Sequence, residues 1–176
     1  MPCIQRFLRV ASMVGILIVL AGCAYQAAVQ RLPPEERTAF RAYSQIMTSG
    51  QARTYLAQDT PAARAAYLQQ IGIAQRFQTL APLDQQSVLN GYIRKGMSAE
   101  ALRFLWGEPY YTRGYTGHHE YWHYLGSAYA LADRGNSYTQ AGTIVIVYLV
   151  DDKVDWWFET MPTGIDKGGD SDPVRR

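Results

Sequence analysis

Apolar and polar positions follow two different periods along this chain, helical up to about residue 109 and strand-like from there to about residue 160. Phe40, Tyr43 and Met47 recur at helical spacing behind Pro33 and Pro34, which sit where a helix starts without losing a needed N–H. Glu35 and Glu36 suit the positive end of its dipole, and Gly50 offers a stop. After a short segment around Tyr55 and Leu56, Asp59 or Thr60 caps a helix that has Pro61 in its first turn and runs to about Leu80. Its apolar stripe is Leu68, Ile71 and Gln75, or Tyr67, Ile71 and Ala74. Pro82 and Leu83 interrupt, Asp84 caps a helix carrying Val88, Leu89, Tyr92 and Ile93, and Gly96 ends it. Ser98 caps one more helix, with Glu100 in its first turn and Ala101, Leu102 and Leu105 on its apolar side, closed by Gly107-Glu108-Pro109.

Strands are expected over residues 110–115, 120–125, 142–150 and 154–160, the last two joined by a short turn at Asp151, Asp152 and Lys153. Residues 126–141, rich in Gly, Ser, Asn, Tyr and Ala, form a long loop of the kind that is either mobile or functional. In the last strand, alternation puts Val154, Trp156 and Phe158 on one side and Asp155, Trp157 and Glu159 on the other, which makes Trp157 the expected exposed aromatic. The preceding strand is apolar at both parities, the pattern of a strand covered on both faces. The N-terminal helices are expected to supply the second cover, in preference to a partner protein. The fold class is α+β: an N-terminal helical segment, then two short helices packed on a three- or four-stranded antiparallel sheet.

Composition narrows the function classes. The chain has 176 residues, with 17 Lys and Arg against 15 Asp and Glu, and lacks the basic excess of a protein that binds nucleic acid by neutralising phosphates. At 48% hydrophobic and 12% aromatic it is not an intrinsically disordered chain. Arg6 and Arg9 precede an apolar run over residues 10–21, broken only by Ser12. A spanning helix needs roughly 20 apolar residues. This run instead has the length of a signal-peptide core, so export is expected. It ends in Leu20-Ala21-Gly22-Cys23, which resembles the lipobox of bacterial lipoproteins. That resemblance implies removal of residues 1–22, diacylglycerol on the Cys23 thiol and, with Ala24 rather than Asp following, sorting to the outer membrane. Each buried methylene of such an anchor contributes about 0.8 kcal/mol. The other cysteine, Cys3, leaves with the leader, so no disulfide is expected. Processing also removes Arg6 and Arg9, leaving nine basic and five acidic residues over 23–103 against six basic and ten acidic over 104–176. The organisation expected is a lipoprotein signal peptide (1–22), a tether after Cys23 (23–31), a helical segment (32–83), an α+β domain (84–161) and a disordered tail (162–176).

Tyr92-Ile93, Gly96-Met97-Ser98, Leu105, Gly107 and Pro109, then Trp122 and Tyr124 as a W-x-Y pair, the alternating strand over 143–148 and a last strand after Asp151-Asp152 resemble the SmpA/OmlA (BamE-like) family of outer-membrane lipoproteins. The resemblance spans about residues 90–160. It implies two short helices packed on a three-stranded antiparallel sheet and a non-enzymatic accessory role in outer-membrane protein assembly. The helical stretch over 33–80 has no counterpart in it.

One string competes. His119-Glu120-Tyr121-Trp122-His123 fits the H-E-x-x-H zinc-protease signature, whose two histidines must share one face of a helix with the glutamate as general base. Its surroundings, dense in aromatics and following Gly114 and Gly117, indicate a strand, where His119 and His123 would stand roughly 13 Å apart. No third ligand follows. No Gly-rich phosphate loop and no nucleophile paired with an activating base is visible. The sequence therefore predicts a non-enzyme without cofactor or metal, anchored by acylated Cys23 to the outer membrane and facing the periplasm. It is expected to dock an envelope protein through Trp157, a loop containing Tyr129 and Tyr138, and the acidic second half. The alternative is an envelope enzyme-inhibitor or sequestering module; a zinc metalloprotease is the third reading.

Overall fold

The computed structural model describes residues 24–115, 118–128, 131 and 143–160. The chain is an α+β protein and divides into two compact units, residues 1–79 and 80–176. The division falls four residues before the expected 83/84 boundary. Cys23, the leader, Tyr129, Tyr138 and the tail beyond Thr160 lie outside the described residues.

The first unit is helical. Residues 24–30, expected as a tether, are helical (α1) and are followed by α2 (Pro34–Tyr43), α3 (Ser49–Leu56), α4 (Pro61–Gln70) and α5 (Ile73–Gln78). Gly50 is not a stop. It lies in the first turn of α3, because the Thr48 side chain accepts from the Gln51 N–H while Gln51 accepts from the Thr48 N–H, a capping box that starts a helix there. Tyr55 on that helix is buried and stacks on Phe40, ring centroids 5.0 Å apart. Thr60 caps α4, accepting from the Ala63 N–H at 3.1 Å. The single helix expected to Leu80 is broken at Gly72, whose φ of 76° reverses the backbone where a side chain would be strained. The break rotates the buried stripe to Leu68, Ile73 and Phe77, away from the expected Ile71. Arg64 is buried with them and is satisfied by the Glu36 carboxylate (2.6 Å) and the Gln58 carbonyl (2.8 Å), as a buried charge requires.

The second unit carries α6 (Pro82–Asn90), α7 (Ala99–Trp106), β1 (Tyr111–Tyr115), β2 (His119–Leu125), β3 (Ile144–Val150) and β4 (Lys153–Thr160). The strands form one antiparallel sheet in the order β1-β2-β3-β4. Helix α6 ends earlier than expected. Gly91 takes the left-handed conformation that terminates it, so Tyr92 and Ile93 lie beyond the helix and Tyr92 is exposed. Nor is Asp84 a cap. It sits inside the first turn of α6, buried, where its carboxylate pairs with Arg94 and accepts from the Ser98 hydroxyl (2.7 Å) and Ser98 N–H (3.2 Å). Ser98 is the cap of α7, as expected, accepting from Ala101 N–H at 3.2 Å. Asp84 thus ties the start of α6 to the start of α7.

Helix α7 closes one face of the sheet. Trp106 meets Tyr124 edge-on at 5.3 Å, the Arg103 guanidinium lies 4.5 Å over the Trp122 ring, and the Tyr124 hydroxyl donates to the Gly107 carbonyl. Beneath them Trp122, Tyr124, Val145, Val147, Leu149 and Val154 are each at most 2% exposed. Complete burial of a side chain of this size contributes about 1.5–3 kcal/mol. The W-x-Y pair is therefore a core element. The β3–β4 turn is Asp151-Asp152, both with positive φ (48° and 59°), the two-residue geometry whose twist matches a hairpin.

Candidate docking face of the sheet

The register of β4 decides what the other face presents. Tyr148 pairs with Trp156 and Leu149 with Val154, so Asp155 is an extra residue, a β-bulge. One inserted residue inverts the alternation after it. Val154 lies under α7 with Leu149, and beyond the bulge it is Trp157, opposite Val147, that shares that covered face. Trp156 and Phe158, opposite Tyr148 and Ile146, turn to the other side. The expected exposed aromatic, Trp157, lies on the covered face and the two residues assigned to the core lie on the open one, all three half-buried. An adjacent Trp-Trp pair must put one indole on each face; the bulge determines which.

The open face of the second unit consists of Tyr111 and Arg113 from β1, His119, Tyr121, His123 and Leu125 from β2, Ile144, Ile146, Tyr148 and Val150 from β3, and Trp156, Phe158 and Thr160 from β4. Each of these residues is half-buried or exposed, Leu125 at 57% and Tyr111 at 51%. Rings line up across three strands: Tyr121 to Tyr148 at 4.8 Å, Tyr148 to Trp156 at 5.5 Å, and Trp156 stacked on Phe158 at 5.3 Å. His119 stacks on Tyr148 and hydrogen-bonds its hydroxyl through Nδ1. A second cluster gathers Tyr110, Tyr111 and His123 at the β1 side. Burial, and secondarily the charge of Arg113, lowers the His123 pKa below its ordinary value of 6.5. The face carries the charge of Arg113, opposite Tyr121. Contiguous apolar surface of this kind marks an interaction site more often than a scattered exposed residue does.

The H-E-x-x-H string lies on β2 and not on a helix. His119 and His123 share the open face, while Glu120 points to the opposite one and accepts the indole N–H of Trp122 at 2.6 Å. This geometry separates the groups that a zinc protease brings together. Among the described residues no group of three or more His, Cys, Asp or Glu side chains is placed to hold a metal ion, and no helix is long and apolar enough to cross a membrane. Comparison of the chain with protein-family models, with curated proteins and with solved structures returned no match.

Proposed function

We propose that the protein is an outer-membrane-anchored lipoprotein, held through acylated Cys23 and facing the periplasm, that acts as a non-catalytic protein-binding accessory in envelope or outer-membrane protein assembly. The observation that carries the binding role is the open aromatic face of the sheet. Its rings, from Tyr121 to Phe158, are held in a fixed row by strand pairing, and a rigid aromatic surface loses little side-chain entropy when a partner covers it. The separation of His119 and His123 from Glu120 favours binding over metal-assisted hydrolysis. The anchor rests on the Leu20-Ala21-Gly22-Cys23 string, and the assembly role on the resemblance to the SmpA/OmlA family over residues 90–160.

The test has two arms. Radiolabelled palmitate should be incorporated by the unmodified chain and lost in Cys23→Ser, which should also leave the membrane fraction; retained labelling and attachment would contradict the anchor. Chemical cross-linking in intact envelopes, with the adducts identified by mass spectrometry, should then capture subunits of the machinery that inserts outer-membrane proteins. Capture of a periplasmic hydrolase instead would favour the inhibitor reading.

A further inference from the structure

Strand β4 is an edge of the sheet, and its outer side is already used for strand pairing by this chain. The Gly96 N–H donates to the Val154 carbonyl (2.6 Å), the Val154 N–H to the Met97 carbonyl (2.8 Å) and the Ala99 N–H to the Asp152 carbonyl (2.7 Å), with Ser98 bridged antiparallel to Lys153. Residues 96–99 therefore cover the first part of that edge. Because the Val154 N–H and carbonyl face outward, the Leu149–Val154 pair is not hydrogen-bonded, and pairs alternate along an antiparallel ladder. Beyond the bulge the pairs opposite Val147 and Val145 follow the same rule, so Trp157 and Glu159 direct their N–H and carbonyl groups to the outer edge. Among the described residues nothing accepts or donates to those backbone groups.

We infer that the outer edge of β4 from Asp155 to Thr160 receives an extended segment of another polypeptide, which pairs with the Trp157 and Glu159 backbone and lays alternate apolar side chains beside Trp156 and Phe158 on the open face. The inference deepens the protein-binding reading and rests on it, though not on the anchor. Exposed strand edges are templates for such addition. β4 is the better template of the two edges, since it is eight residues long with no Gly or Pro, whereas β1 has five residues and carries Arg113 and Gly114. The face beside the edge sets the partner's chemistry: residues that pack against Trp156 and Phe158 are apolar, and those between them, beside the Lys95-paired Asp155 and the Glu159 carboxylate that accepts the Ala128 N–H, are polar.

The full chain in detergent, titrated with a decapeptide in which valine alternates with lysine and threonine, tests this by amide hydrogen exchange. Saturable binding should slow exchange at the Trp157 and Glu159 amides by about tenfold or more, and leave those of Trp156 and Phe158, already bonded to β3, unchanged. Glu159→Pro removes an outward N–H without touching the β3 ladder and should abolish binding, while Glu159→Gln should retain it. If Glu159→Pro unfolds the sheet, exchange in the unmodified chain decides alone. Binding without protection of the two amides overturns the edge inference and leaves the docking face standing, as does an absence of peptide binding alongside envelope capture of a partner. Protection in the peptide-free chain overturns it too. If that protection is lost on deleting residues 161–176, the edge belongs to the chain's own tail, and if it rises with protein concentration, to a second copy.

Discussion

The two faces of the sheet are made by the same strands from closely similar residues, yet one is closed and the other open. Under α7 lie Trp122, Tyr124, Val145, Val147, Leu149 and Val154; on the far side lie Tyr121, Ile144, Ile146, Tyr148, Val150, Trp156 and Phe158. Hydrophobicity does not distinguish them. The closed face is set by a helix whose Trp106 and Arg103 reach specific rings, and the open face is set by ring packing among its own side chains. Under the proposed docking role the closed face supplies stability and the open face recognition, so each should be perturbable without the other.

The largest effect is expected on the closed side. Trp122→Ala leaves a cavity beneath Arg103 and should cost about 3–5 kcal/mol in denaturant unfolding. Asp84→Ala strands Arg94 and frees the first turn of α7, and should cost about 3 kcal/mol, with Asp84→Asn recovering part of it through the Ser98 contacts. On the open side Trp156→Ala should change stability by about 1 kcal/mol at most while reducing partner capture. A stability loss for Trp156→Ala as large as that for Trp122→Ala would erase the distinction between the faces.

A smaller effect concerns pH. The fold favours the neutral His123 ring, whose pKa is lowered by burial and by Arg113. Its contribution is therefore complete above the unfolded value of 6.5 and declines as pH falls from there through the lower folded pKa, where the unfolded chain binds more protons. His123→Gln should flatten that decline in unfolding curves taken above and below pH 6.5. An unchanged slope would mean that His123 is solvated like an ordinary surface histidine.

The fold class, both short helices of the second unit and all four strands were legible in the sequence, because Ser98, Gly107 and the Asp151-Asp152 turn are local signals that act within a few residues. Three features were not. The Thr48–Gln51 capping box overrides Gly50 as a stop, since a satisfied pair of N–H groups outweighs one weak helix former. Asp84 reads as a cap by position, but its carboxylate finds Arg94 and Ser98, partners 10 and 14 residues away. Most consequential is the bulge at Asp155, which exchanges Trp157 for Trp156 as the aromatic of the open face. In β3 both parities are apolar, so no hydrophobic alternation there fixed the register of its neighbour. The candidate site was thus legible as an aromatic strand and illegible as a face.

The central claim is that a protein partner covers the open face. A photoreactive amino acid placed singly at Trp156, Phe158 or Leu83, an exposed apolar residue on α6, would report this in living cells. The account predicts the same discrete adduct from Trp156 and Phe158, identified by mass spectrometry as an envelope-assembly subunit, and none from Leu83. No adduct from the two sheet positions, or an equal one from Leu83, would contradict it.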